Sequence, residues 1–167
     1  MNPQRVFQHY LIQAEGLLDK LEGYCQQQGL ASTTLLQARL QEDMFPLAQQ
    51  LRTCASFALR SLYPLYGLTP QALAAGEDLP GLRGVLQQTR QTLAALPPLP
   101  PEPWPHCQEQ AGTAQVALAG QEFVWLYGLP NFFFHLNMAY AILRQQGVPV
   151  SKGDYDGWHQ YPIGFRF

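Results

Sequence analysis

The sequence predicts an all-α protein, a four-helix bundle with one small β-hairpin before the last helix. Three observations predict it. Apolar residues recur at alternating steps of 3 and 4 in three long segments, a fourth segment is apolar almost all round, and strand-like alternation is confined to one short stretch. With 167 residues the chain can bury one sizeable core and is short for two, so residues 1–167 are expected to form a single domain with an aromatic C-terminal tail, 148–167.

The first helix is predicted from about Pro3 to Gln28, where Phe7, Leu11, Ala14, Leu18, Leu21 and Cys25 step 4, 3, 4, 3, 4. Gly29 stops it, and His9 falls on its polar, exposed side. Thr34 to Leu40 reads as a short helical turn with Thr34 and Gln37 in capping-box spacing, and Asp43 is placed to cap the next helix. That helix is expected from Met44 to Tyr66, its apolar face running through Leu47, Leu51, Cys54, Ala58 and Leu62, with Pro64 closing its last turn. A third helix follows from Leu79 to Leu96 on Leu82, Leu86, Thr89 and Leu93. Pro97 to Pro105, PPLPPEPWP, cannot supply a helical ladder and reads as a stiff connector along the bundle surface. Between Ala114 and Leu126, Val116 and Leu118 before Ala119-Gly120, and Phe123 and Trp125 after it, alternate as a hairpin would.

The fourth helix, GLPNFFFHLNMAYAILRQQG from Gly128 to Gly147, is expected to start at Pro130-Asn131, with Asn131 as its cap, and to stop at Gly147. Phe132, His135, Ala139 and Ile142 share one face, and Phe133, Leu136, Tyr140 and Leu143 share a second. Two apolar faces require two buried contacts, so the second is assigned to a homodimer interface, with the hairpin and tail of the same chain as the alternative cover. No charge interrupts Phe123 to Leu143, but Gly128, Pro130, Asn131 and His135 break the run and leave a core helix rather than a membrane span. The tail is too polar and Gly-rich for a helix, yet Tyr155, Trp158, Tyr161, Phe165 and Phe167 imply that it docks.

Composition excludes several functions. Ten basic and twelve acidic residues without a basic cluster leave no footprint for nucleic acid or an anionic membrane. No signal peptide opens the sequence, and three cysteines without a CxxC fit reduced thiols in the cytoplasm. GxSxG, P-loop, Rossmann and HExxH patterns are all absent. His106 and Cys107 lack the electropositive setting that a reactive thiol needs. Asp154, Asp156 and His159 form a D-x-D-x-x-H string that matches no established ligand spacing, and they read as solvated loop residues.

The blocks ARLQEDMFPLAQQ at Ala38 to Gln50 and GLPNFFFHLNMAYAILRQQGVPVSKGDYDG at Gly128 to Gly157 closely resemble a bacterial family described as a domain of unknown function. That family is grouped with the DinB/YfiT-like metalloenzymes. The resemblance covers nearly the whole chain and implies a DinB-like bundle. It also implies a divalent metal held by three histidines, one on the second helix and two at i and i+4 on the fourth; here only His135 matches, because i+4 is Ala139 and Met44 to Tyr66 holds no histidine. The residues by themselves make His135 a hydrogen-bonded core residue or pocket liner, since a tight metal site needs three or four donors. A candidate ligand pocket is therefore formed by His135, Asp43, Asn131, Phe132 and Ala139. The expected function is that of a non-catalytic or degenerate DinB-like bundle acting through dimerisation or by binding a small apolar ligand between helices, without a cofactor. The alternative is a hydrolase or thiol-transferase of the DinB/YfiT type that depends on zinc, nickel or manganese.

Overall fold

The computed structural model describes residues 2–162. The chain is mostly helical, with one two-stranded antiparallel hairpin. Helix α1, Pro3–Gln28, starts with proline where no intrahelical N–H is needed, and the Asn2 side chain accepts from the Gln4 N–H at 2.9 Å. Its seam is buried as expected; Phe7, Leu11, Ala14, Leu18 and Leu21 expose nothing. The next turn, α2, is Ser32–Leu36, so Thr34 lies inside it and no side chain caps it.

Helix α3, Leu47–Leu62, begins later than the sequence suggests. Pro46 is the reason: it disfavours helical backbone at Phe45, so Met44 and Phe45 cannot be helical residues ahead of it. Asp43 is consequently not the cap but an exposed residue of the preceding turn, and the Leu47 N–H is satisfied by the Ala38 carbonyl at 2.9 Å. A 3-10 turn, Tyr63–Tyr66, carries Pro64 and closes at Gly67 with φ +67°. Helix α4, Leu79–Ala95, is capped by Asp78, whose carboxylate accepts from the Gly81 N–H at 2.8 Å. The proline connector is docked on the domain: the Tyr66 hydroxyl donates to the Pro97 carbonyl at 3.0 Å, and Trp104 is buried.

The hairpin is real but shifted. Strands β1, Cys107–Ala111, and β2, Ala114–Leu118, pair from Cys107 opposite Leu118 to Ala111 opposite Ala114, around Gly112 at φ +60°. Val116 and Leu118 therefore pair backwards in the chain rather than forwards with Phe123 and Trp125. Gly120 is not a turn residue: a Cβ there would lie 2.5 Å from the Trp104 side chain and 2.7 Å from the Pro105 carbonyl, so glycine permits close packing.

From Gly120 the chain is helical without a break. A short α5, Gly120–Glu122, runs into a wider π-helical stretch, Phe123–Gly128, and then into α6, Leu129–Gln145. Proline lacks an N–H, and in a regular helix its ring clashes with the preceding turn; here the Leu129 N–H reaches five residues back to Val124, and the widened turn takes Pro130 in stride. Asn131 is thus inside the helix, donating from its side chain to the Tyr127 carbonyl at 2.7 Å.

Among the described residues, α3 packs mainly on α6 and α4, and α1 on α4 and on a last short helix, α7, Lys152–Asp156. The tail does form a helix after all, because Ser151 and Asp154 make a reciprocal capping box. Its Tyr155 packs on Tyr10 and Tyr140, while Phe165 and Phe167 lie outside the described residues. His9 is not simply exposed: its Nε2 lies 2.7 Å from the Asp156 carbonyl oxygen and its ring stacks on Trp158. The second face of α6 is largely covered within the chain. Leu136 and Leu143 expose nothing, Phe133 meets Tyr10 edge-on, and the Tyr140 hydroxyl donates to the Val150 carbonyl at 3.5 Å. Leu136 and Leu143 are thus core residues of the chain itself, and only the half-buried Phe133 and Tyr140 of that face keep any exposed surface. No helix among the described residues is long and apolar enough to cross a membrane.

Candidate functional site

His135 projects from α6 toward α3 and is 9% exposed. Its Nδ1 lies 2.7 Å from the side-chain oxygen of Gln50, while the Gln50 amide nitrogen donates to the Phe45 carbonyl at 3.3 Å. That second bond orients the amide, so the oxygen faces the imidazole and Nδ1 must carry the proton. The Nε2 is left with a lone pair. Burial first, and the Arg60 charge second, lower the His135 pKa to about 4, which keeps the ring neutral at pH 7.

The imidazole stacks on two phenylalanine rings. Phe57 lies at 5.6 Å and Phe45 at 6.2 Å, both within 20° of parallel, and the Arg60 guanidinium caps the Phe57 ring at 4.2 Å. Phe45 is 49% exposed, so it covers His135 from outside. Phe45 and Arg60 also line a cleft of about 600 Å3 between the outer face of α3 and residues 72–75. The cleft thus sits beside the histidine.

The remaining predicted pocket residues do not gather there. Phe132 and Ala139 are fully buried core residues, with Phe132 edge-on to Phe7; Asn131 is spent on Tyr127; and Asp43 lies exposed in its turn without a bond to His135. The expected pocket between helices is replaced by a cleft on one side of α3. Gln50, Phe45 and Phe57 are what sequence reasoning missed. A signal existed: Gln50, Cys54, Phe57 and Ser61 step 4, 3, 4 as a second buried stripe of α3, and its two polar members are the unusual ones.

The donors around His135 bear on the divalent metal that the resemblance implies. A tight site needs three or four donors, and no group of three His, Cys, Asp or Glu side chains among the described residues could hold an ion. One turn beyond His135 stands Ala139, and the α3 residue hydrogen-bonded to the ring is the amide Gln50. The residues present do not fit such a centre. Nor does the D-x-D-x-x-H string: Asp156 is buried rather than solvated, accepting from the backbone N–H groups of Trp158 and His159 and bonding to His159 Nδ1. Burial pushes the Asp156 carboxyl up, but these bonds outweigh it and hold it at about 2. Asp154 belongs to the α7 capping box and pairs with Lys20 at 3.1 Å. The string fastens the tail to α1.

A family model described as a domain of unknown function (DUF1993) matches residues 4–156. Curated proteins yield no match to the chain. Among solved structures, one described as a DinB family member protein from Shewanella denitrificans superposes with a TM-score of 0.80, covering 96% of this chain and 92% of that one at 25% identity. The match covers α1 through α7, the hairpin and the His135 region, so the chain belongs to the DUF1993 family and has a DinB-like fold.

Proposed function

We propose that this protein is a DinB-like four-helix bundle whose working part is a ligand-binding cleft beside a neutral histidine, and that it does not act as a metal-dependent hydrolase or thiol-transferase. The observation that carries the reading is the state of His135. Its Nδ1–H is committed to Gln50, no group of three metal donors includes it among the described residues, and burial with Arg60 keeps it uncharged. A neutral imidazole stacked against Phe45, itself a lining residue of the cleft, brings no charge to the cleft's apolar end and suits an uncharged ligand body there. The three cysteines, all free and buried, support a cytoplasmic setting.

Elemental analysis of protein purified without a histidine tag tests this. Well under one equivalent of zinc, nickel or manganese is expected. Near one equivalent in wild type, lost in His135→Ala, would overturn the reading in favour of a metal-dependent enzyme.

A second reading, homodimerisation, is favoured by an apolar stripe on the α6 side that the described residues leave exposed. Leu126, Pro130 and Phe134 follow one another at steps of 4, with Leu126 69% and Phe134 52% exposed. A second copy of the chain would pair through this stripe.

A further inference from the structure

The cleft beside α3 has an unequal distribution of charge that specifies a ligand class. One wall is a polar helix face bearing Gln49, Arg52, Thr53, Ser56 and Arg60, and the other is small and apolar, from Ala72, Leu73 and Ala75. Its volume of about 600 Å3 falls in the usual range for small-molecule sites, roughly 300–1,000 Å3. The two guanidiniums are not equivalent. Arg60 is paired with Glu109 from β1, so its charge is already balanced. Arg52 donates to the Ala75 carbonyl at 2.6 Å and to the Gln49 side chain, both neutral acceptors. Among the described residues no ion pair involves Arg52; Glu77 borders a smaller adjoining cavity of about 140 Å3, which Arg52 also lines, without pairing with it. The cleft therefore holds one unbalanced positive charge. One turn along the same helix face, the half-buried Ser56 hydroxyl makes no hydrogen bond within the described residues.

We propose that the cleft binds a small monocarboxylate with an apolar body, a reading that rests on the ligand-binding function above. The carboxylate pairs with the Arg52 fork, whose planar geometry matches two carboxylate oxygens, and takes a further hydrogen bond from Ser56. The apolar body lies along Leu73 and Phe45, at the edge of the His135 stack. One unbalanced guanidinium matches one negative charge. A dianion would bring a second charge with no partner, and a cation would meet Arg52 directly.

Titration calorimetry of the full chain with 4-phenylbutyrate and its neutral amide tests the assignment. The acid is expected to bind and the amide to bind about tenfold weaker or less. Arg52→Gln should weaken the acid about tenfold and leave the amide unchanged. Because Arg52 also tethers Ala75, that variant could loosen the wall, so Ser56→Asp provides a second check: it leaves the tether alone, places a negative charge beside Arg52 and should repel only the acid. Ala72→Trp, which fills the cleft, should abolish binding of both compounds. Equal affinity for acid and amide, or acid binding indifferent to both Arg52→Gln and Ser56→Asp, overturns the carboxylate assignment but leaves the cleft as the ligand site, provided that Ala72→Trp still blocks. Acid binding that survives Ala72→Trp, or no binding of either compound to wild type, overturns the cleft reading as well.

Discussion

A single amide decides the behaviour of the most unusual residue in the chain. Gln50 gives His135 a fixed tautomer and a buried partner, and removal of the imidazole leaves that partner unpaired. At pH 8, where His135 is neutral in folded and unfolded chains alike, His135→Leu is expected to cost about 1–3 kcal/mol, the usual penalty for stranding a buried acceptor. Acid changes the comparison. The unfolded histidine titrates near its ordinary value of 6.5 and the folded one at about 4, so as pH falls through this window the unfolded chain takes up a proton that the folded chain refuses. The stabilising difference is complete above about 6.5 and lost toward 4, a total on the order of 3 kcal/mol. Wild type suffers this loss and His135→Leu does not, while Asp156, at about 2, titrates below the window in both. Urea unfolding at pH 8 and pH 4.5 should therefore show a stability gap that shrinks or reverses in acid. A gap equal at both pH values, or a variant more stable than wild type at pH 8, would show that the imidazole has no buried partner of consequence. The histidine itself was legible in the sequence as an inward residue. Its partner was not, because Gln50 lies 85 positions away and no local pattern pairs the two.

The helix that carries His135 shows where local signals mislead. Leu129-Pro130-Asn131 has the residue types of a helix start, yet the helix runs straight through them, because the widened stretch from Phe123 to Gly128 removes the conflict with proline. Pattern reading cannot see this, since the compensation lies in the backbone of the preceding turn. Gly128 has a different role from the helix boundary that its position suggests. A Cβ there would lie 2.1 Å from the Ser61 Oγ and 2.7 Å from its Cβ, so this glycine lets α6 and its leading turn press against α3. Gly128→Ala should then destabilise by about 1–3 kcal/mol through overpacking, despite alanine's better helix propensity. Adding Ser61→Gly, which removes the obstructing atoms, should recover part of that loss. Thermal melts of both variants decide it, and a stabilised Gly128→Ala would mean that the helices are free to separate. The hairpin misreading has a related cause: Gly120 serves close packing against Trp104, and Gly112 supplies the turn, but both are simply glycines on paper.

For the molecule as a whole, the seams of α1, α3 and α4 and the two-sided α6 were legible, because each is a local period that one core satisfies. What covers the second side of α6 was not. The face count leaves a second subunit and the chain's own tail as the two candidates, and α1 and the tail cover much of it through Tyr10, Tyr155 and Val150, contacts that depend on where the tail docks. This changes the self-association expected. Leu126, Phe134 and Phe45, which like Phe134 packs on the His135 ring, together expose on the order of 300 Å2 of apolar surface, within the range of an ordinary monomer's largest patch. A standard interface buries roughly 800 Å2 on each partner, so this stripe can support only a weak dimer. Light scattering should give the 18.8 kDa mass of one chain at low micromolar concentration and a rising average mass as concentration increases a hundredfold. Phe134→Glu, which places a charge on the exposed stripe and leaves the core untouched, should abolish the rise. Tyr140→Glu should instead lower the melting temperature, because it breaks tail packing rather than an interface. A stable particle of twice the chain mass at low micromolar concentration, unaffected by Phe134→Glu, would place the dimer on another surface, and one chain mass at every concentration would end the self-association reading.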